Sequence, residues 1–109
     1  MHLHQTENTL AYMSRIQHDI WIDEEGKTSL CFAGELGRES RSVLDENCKI
    51  IYSFFASSHF DAMTQYYDYM KWGIYTTQFP IDKVKYNLNE LQVRADWYKE
   101  RIKNKENNT

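Results

Sequence analysis

Apolar positions change their period several times along the chain, and each change marks an element. Between His18 and Asp23, the residues His18, Ile20 and Ile22 alternate with Asp19, Trp21 and Asp23, the two-residue repeat of a half-buried strand. Glu24-Glu25-Gly26-Lys27 follows, with a glycine suited to a tight turn, and Thr28 to Ala33 reads as a second strand. Residues 18–33 are therefore expected to form a β-hairpin. Arg38 to Leu44 reads as a helical turn with Val43 and Leu44 inward. The run Cys48 to Ala56 is rich in β-branched and aromatic residues and reads as a central strand.

Helical spacing takes over at Ser58. Phe60, Met63, Tyr67 and Met70 recur at three- and four-residue steps and predict an inward stripe on a helix over 58–72. Ser58 followed by Asp61 resembles a capping box with Asp in place of Glu, and Gly73 is the expected stop. Ile74 to Phe79 reads as extended ahead of Pro80. Leu88, Leu91, Ala95, Tyr98 and Ile102 then form a stripe on a C-terminal helix of about 88–104, with Asn87 or Asn89 as its cap. Residues 1–16 read as an N-terminal extension with a short helix carrying Leu10, Met13 and Ile16, and 17–109 as one domain. The fold class expected is α+β: a small antiparallel sheet of three or four strands packed by a central helix and a C-terminal helix.

Charge divides the chain in two. Residues 1–82 carry six Lys/Arg against twelve Asp/Glu, whereas residues 83–109 carry seven against four. The result is an acidic body with a basic tail and a net charge of −3, which argues against nucleic acid as a partner. No apolar run is long enough to span a membrane. The N-terminus lacks the basic start and apolar core of a signal peptide, so a cytoplasmic location is the expectation. Cys31 and Cys48 then read as free thiols.

Candidate chemistry is sparse. His2 and His4 make an H-x-H pair with no further ligands nearby, and no metal or cofactor motif is present. Ser58, His59 and Asp61 contain the residue types of a catalytic triad. Adjacent residues on one helical turn point in different directions, however, so a local relay is not expected there. Catalytic residues, metal ligands and cofactors are accordingly each expected to be none. Asp19, Trp21 and Asp23 share a strand face, with Glu24 and Glu25 just beyond. Tyr66, Tyr69, Trp72 and Trp97 fall off the assigned core stripes.

With eight Tyr, five Phe and three Trp in 109 residues, these surplus aromatics read equally as an interface or as a core that wraps wider than a single stripe. The segments Asp19–Asp23, Ser29–Gly34, Phe55–Tyr67 and Trp72–Thr77 resemble a family of small uncharacterised bacterial proteins. Its most specific part is S-H-F-x-A-M-x-x-Y-Y, from Ser58 to Tyr67, within the longer F-x-A-x-S-H-F-x-A-M-x-x-Y-Y segment that starts at Phe54. That resemblance implies a compact α+β unit in a bacterial cytoplasm and assigns no activity.

The functional expectation is a non-enzymatic protein-binding module, of the type of an immunity inhibitor that blocks a basic bacterial toxin domain. Its interface would comprise Asp19, Trp21, Asp23, Glu24, Glu25, Tyr66, Tyr69, Trp72 and Trp97. Two alternatives stand beside it. One is a small enzyme or ligand-binding protein using Ser58, His59 and Asp61. The other is a self-associating structural protein, a homodimer through the C-terminal helix.

Overall fold

The computed structural model describes residues 15–107. Its elements in chain order are β1 (Ile16–Ile22), β2 (Thr28–Phe32), a 3-10 turn (Gly34–Gly37), α1 (Arg38–Arg41), β3 (Lys49–Ala56), α2 (His59–Met70), a second 3-10 turn (Pro80–Lys83) and α3 (Leu88–Asn107). The three strands form one antiparallel sheet in the order β2-β1-β3, so the α+β expectation holds with three strands. The 48–56 run is an edge strand, and the central position belongs to β1. The expected N-terminal helix falls on residues 1–14, outside the described residues, except for Ile16. That residue opens β1 opposite Ala56 and is therefore in the sheet.

Strand alternation places Ile16, His18 and Ile20 on the face that α2 covers. Ile20 is fully buried, with Leu30 opposite it on β2 and Tyr52 on β3. The next pair is Trp21 with Ile50, which leaves Ile51 as an extra residue, a β-bulge. The hairpin turn is closed by Asp23, whose Oδ1 accepts hydrogen bonds from the backbone N–H of Glu25 and of Lys27, both at 2.9 Å. Gly26 supplies the positive φ of 88°.

Helix α2 starts where its cap predicts. Ser58 Oγ accepts the Asp61 N–H at 3.0 Å. The returning bond differs from a capping box by one residue, because Asp61 Oδ2 accepts the N–H of Ser57 rather than that of Ser58. The inward stripe is also rotated from the expected one. Ala62 and Tyr66 are buried against Ile20, Phe54 and Ala56, with Met63 and Met70 alongside. Phe60 and Tyr67 lie on the flank, where their rings meet Tyr75 at 5.8 and 5.1 Å. Apolar side chains cover more than half the circumference of this helix, so spacing alone does not fix the inward line. The small Ala62 side chain, opposed to Ala56, permits the close approach, and the Tyr66 hydroxyl finds its hydrogen-bond partner in Thr28.

The helix ends at Met70, and its stop comes at Lys71, two residues before the expected Gly73. Lys71 takes the left-handed conformation (φ 59°, ψ 41°), and the Trp72 N–H bonds back to the Tyr67 carbonyl at 3.0 Å. The 34–41 segment is held close to β2. A Cβ on Gly37 would lie 1.7 Å from the Phe32 carbonyl oxygen, and the Arg41 guanidinium donates to the carbonyls of Phe32 and Gly34. Val43, expected inward, is 83% exposed because α1 ends at Arg41; Leu44 is half-buried.

Helix α3 is capped by Asn87, whose Oδ1 accepts the Glu90 N–H at 3.1 Å. Its Leu91 and Ala95 are half-buried and line a crevice with Phe32, Leu36 and Ser40. This part of the C-terminal stripe therefore faces the 34–41 segment of its own chain. The side chains of Tyr98 and Ile102 are outside those described. Among the described residues no helix is long and apolar enough to cross a membrane.

A lysine in the left-handed region is strained by about 1 kcal/mol relative to glycine. Lys71→Gly is expected to raise stability to unfolding by up to about 1 kcal/mol, part of the gain being offset by greater freedom of the unfolded chain. Equilibrium urea denaturation of the two proteins checks this.

Candidate functional site

The direction of α2 sets its two sets of candidate residues toward opposite ends of the sheet. Its N-terminal turn lies near His18 and Phe32, and its third turn reaches Thr28 through the Tyr66 hydroxyl. Trp72, just past the helix end, packs back on Tyr66 at 5.2 Å and edge-on against Tyr67 at 5.4 Å. The indole is 52% exposed, and its neighbour Tyr66 is bonded to Thr28, the first residue of β2.

The β1–β2 turn and the one before β3 enclose a cleft of ≈ 310 Å³ lined by Asp23, Glu24, Glu25, Asp45, Glu46 and Asn47. Glu25 pairs with Lys27 at 3.6 Å, a contact exposed on both sides that water largely screens. Asp23 is committed to the backbone of its own turn. Among the described residues no group of three or more His, Cys, Asp or Glu is placed to hold a metal ion. The cleft is therefore a patch of negative field rather than a chelating site.

The remaining interface candidates separate by burial. Asp19 is only 6% exposed and accepts a hydrogen bond from Ser53 Oγ at 2.6 Å. Tyr66 is in the core. Both are corrections to the expected exposed set: Asp19 lies mid-strand between Cys31 and Ser53, and Tyr66 lies on the true inward line of α2. Trp21 is half-buried, and its Nε1 is buried with no hydrogen-bond partner among the described residues. Tyr69 is exposed along one side but stacks on Tyr52, with ring centroids 4.4 Å apart. Trp97 is exposed on α3 under the Arg101 guanidinium at 5.2 Å, far along the chain from the acidic end.

Ser58, His59 and Asp61 form no relay. Ser58 is buried and spends its hydroxyl oxygen on the cap, and Asp61 accepts from Ser57 and from Gln65. His59 is exposed. It does line a cavity of ≈ 160 Å³ with His18, Ser40, Met63 and Tyr86. Cys31 and Cys48 are both free, and burial pushes the Cys31 thiol up from its ordinary value, so it stays protonated and unreactive.

The side chain that residue spacing undervalued is His18, which is 3% exposed. Its Nδ1–H donates to the Ile16 carbonyl at 2.9 Å, since a carbonyl only accepts. Nε2 is then the free lone pair of a neutral ring, and it accepts from the Tyr86 hydroxyl at 3.0 Å. The imidazole is stacked on Phe54 and tilted against Phe32, and Tyr86 lies edge-on to Phe32. Alternation with Ile20 was the signal available, since it put a histidine on the apolar face of β1. Nothing in the sequence marks Tyr86 as its partner, 68 residues away.

Burial lowers the His18 pKa from 6.5, opposed by the Ile16 hydrogen bond and the Asp61 and Asp19 carboxylates, and aided by His59. Burial, reinforced by Asp61, holds the Tyr86 phenol well above its usual range.

Comparison with models of known protein families, with curated proteins and with solved structures finds no match. The reading of this surface therefore stands on its residues and their geometry.

A histidine kept neutral by folding contributes stability that is fully present above the unfolded-state pKa of 6.5. That contribution is lost as pH falls from there toward the lower folded-state value. Tyr86→Phe leaves the buried Nε2 lone pair without a donor and is expected to cost about 1–3 kcal/mol at neutral pH. Urea midpoints measured between pH 5 and 8 for both proteins check the two effects.

Proposed function

We propose that the protein is a non-enzymatic protein-binding module that takes a basic partner at the hairpin end of its sheet. The observation that carries this reading is Trp72. It is a half-exposed indole held by Tyr66 and Tyr67, and Tyr66 links it through Thr28 to the hairpin whose turn carries Asp23, Glu24 and Glu25. An anchored aromatic linked to a single-sign rim is the arrangement that gives an interface both an energetic centre and electrostatic steering. Beyond Trp72 the chain exposes Ile74, Phe79, Ile81 and Val84, which widens the apolar area available to a partner. Immunity-type inhibition of a basic toxin domain is the function class that matches an acidic binding end on a chain of this size.

Purification from the native host is expected to return one protein partner in fixed stoichiometry. Trp72→Ala should weaken that complex by tenfold or more, the scale of a central aromatic anchor, about 1.4 kcal/mol or above. Reversing Glu24 and Glu25 to Lys should slow association and flatten its salt dependence. A complex indifferent to all three substitutions would remove this surface from consideration.

The ligand-binding reading has one observation in its favour, the cavity that His59 shares with Tyr86 and Met63. It predicts that His59→Ala abolishes function while leaving stability and partner capture intact. The module reading expects His59→Ala to be silent.

A further inference from the structure

The two edges of the sheet differ in what meets them. On the outer side of β3, the Gln65 amide donates to the Phe55 carbonyl at 2.8 Å, and the Tyr86 N–H donates to the Ser57 carbonyl at 2.9 Å. That edge is taken up within the chain. On the other side of the sheet, two bonds just beyond the paired strands set the phase of the β1–β2 ladder. The Ala33 N–H donates to the Gln17 carbonyl, and the Asp23 N–H donates to the Lys27 carbonyl, both at 2.9 Å. Hydrogen-bonded pairs recur every second residue in an antiparallel ladder, so the pairs between them are Asp19 with Cys31 and Trp21 with Ser29. The main-chain groups of Thr28, Leu30 and Phe32 therefore point away from β1.

The 34–41 segment closes this edge at Phe32. The Arg41 guanidinium donates to the Phe32 carbonyl, and a Cβ on Gly37 would collide with the same oxygen. Thr28 and Leu30 remain. Among the described residues nothing bonds to the main chain of either from outside the sheet, which leaves two N–H and two C=O groups open. The five residues of β2 include neither proline nor charge, so shortness is the one protection this edge has.

The surroundings of the edge select what can be added to it. Leu30 is half-buried and opens on the cavity of ≈ 160 Å³, whose walls include Phe32, Met63 and Tyr86. In an added strand, the residue paired with Leu30 directs its side chain to the same face as Leu30, and so into this cavity. The space and its lining suit one aliphatic side chain. His59 is exposed and contributes the rim rather than the floor. Two residues further on, the added strand pairs with Thr28, whose hydroxyl is bonded to Tyr66, the ring on which Trp72 packs. Beyond Thr28 comes the turn, where Asp23, Glu24 and Glu25 outnumber Lys27. Antiparallel addition brings the C-terminal end of the incoming segment to this turn, so basic side chains belong three and four positions after the aliphatic one.

We propose that the outer edge of β2 receives an extended segment of the basic partner as a fourth, antiparallel strand, with an aliphatic side chain in the cavity beside Leu30 and basic residues at the acidic turn. The proposal rests on the reading of a basic partner given above and specifies how it is held. Main-chain bonds supply the register, and the cavity and the turn supply the selectivity.

The probes are four acetylated and amidated hexapeptides, Thr-x-Thr-Val-Lys-Lys, with x as Leu, Ile, Val or Met. Each is titrated into the full chain labelled with ¹⁵N, and amide hydrogen exchange is read in the free and saturated states. At least one is expected to bind saturably. Exchange at the Leu30 amide then slows tenfold or more, while exchange at Ser53 on the opposite edge is unchanged. N-methylation of x removes the N–H that the Leu30 carbonyl would accept and should weaken binding tenfold or more, as should Asp at x. Reversing Glu24 and Glu25 to Lys should weaken the Lys-Lys peptide and strengthen its Glu-Glu counterpart, an exchange of preference that general destabilisation would not produce. No binding by any of the four at millimolar concentration overturns the proposal. So does binding indifferent to N-methylation, or protection that arises at Ser53 instead of Leu30. The peptides are assayed without the partner, so these failures leave the effect of Trp72→Ala on the native complex as the separate test of the binding reading.

Discussion

The structure depends on burying the middle of β1 from both sides. Three consecutive residues, His18, Asp19 and Ile20, are each under 10% exposed, although their side chains point alternately to opposite faces of the sheet. A three-stranded sheet with one helix on one face shields its second face poorly. The polar pair therefore has to be satisfied internally. Ser53 serves Asp19 on one face, and the Ile16 carbonyl and the Tyr86 hydroxyl serve His18 on the other. Much of the remaining architecture follows from these bonds. Ser53 fixes β3 in register beside β1, and Tyr86 returns the chain to the core after the long excursion from Lys71 to Val84, where it can start α3.

The elements were legible in the sequence because each is announced by a local rule. Alternation marked both strands of the hairpin, Ser58 marked the start of α2, and the asparagines at 87 and 89 marked the start of α3, where Asn87 is the one that caps. The rotation of α2 was less legible. Six of its twelve residues are aromatic or methionine, so several inward lines are equally apolar. The choice was made by a tertiary fit, Ala62 against Ala56 and the Tyr66 hydroxyl against Thr28. The left-handed Lys71 was hidden for a similar reason. Gly73 was the residue propensity favours, but the Trp72 N–H reaches the Tyr67 carbonyl only if the turn comes earlier.

Of the candidate surface, Asp23, Glu24 and Glu25 share one turn as their sequence positions require, and Asp45 and Glu46 join them through topology. Asp19 and Tyr66 could not be sorted in advance. Each belongs to a residue class found on surfaces, and each is interior here because a single neighbouring hydroxyl, on Ser53 or Thr28, meets its polar atom. Burial of a polar side chain is decided by its partner, and partners distant in sequence are not visible in local patterning.

The bond between His18 and Tyr86 closes a loop spanning most of the described chain. Strand pairing of β1 with β2 and β3, and the docking of α2, involve much shorter separations or follow directly from them. Closing a long loop costs entropy before its contact contributes anything, so it is favourable only once the enclosed segments have already condensed. The histidine's pocket is walled by Phe32 and Phe54, one from each strand flanking β1, so the contact with Tyr86 draws on all three strands at once.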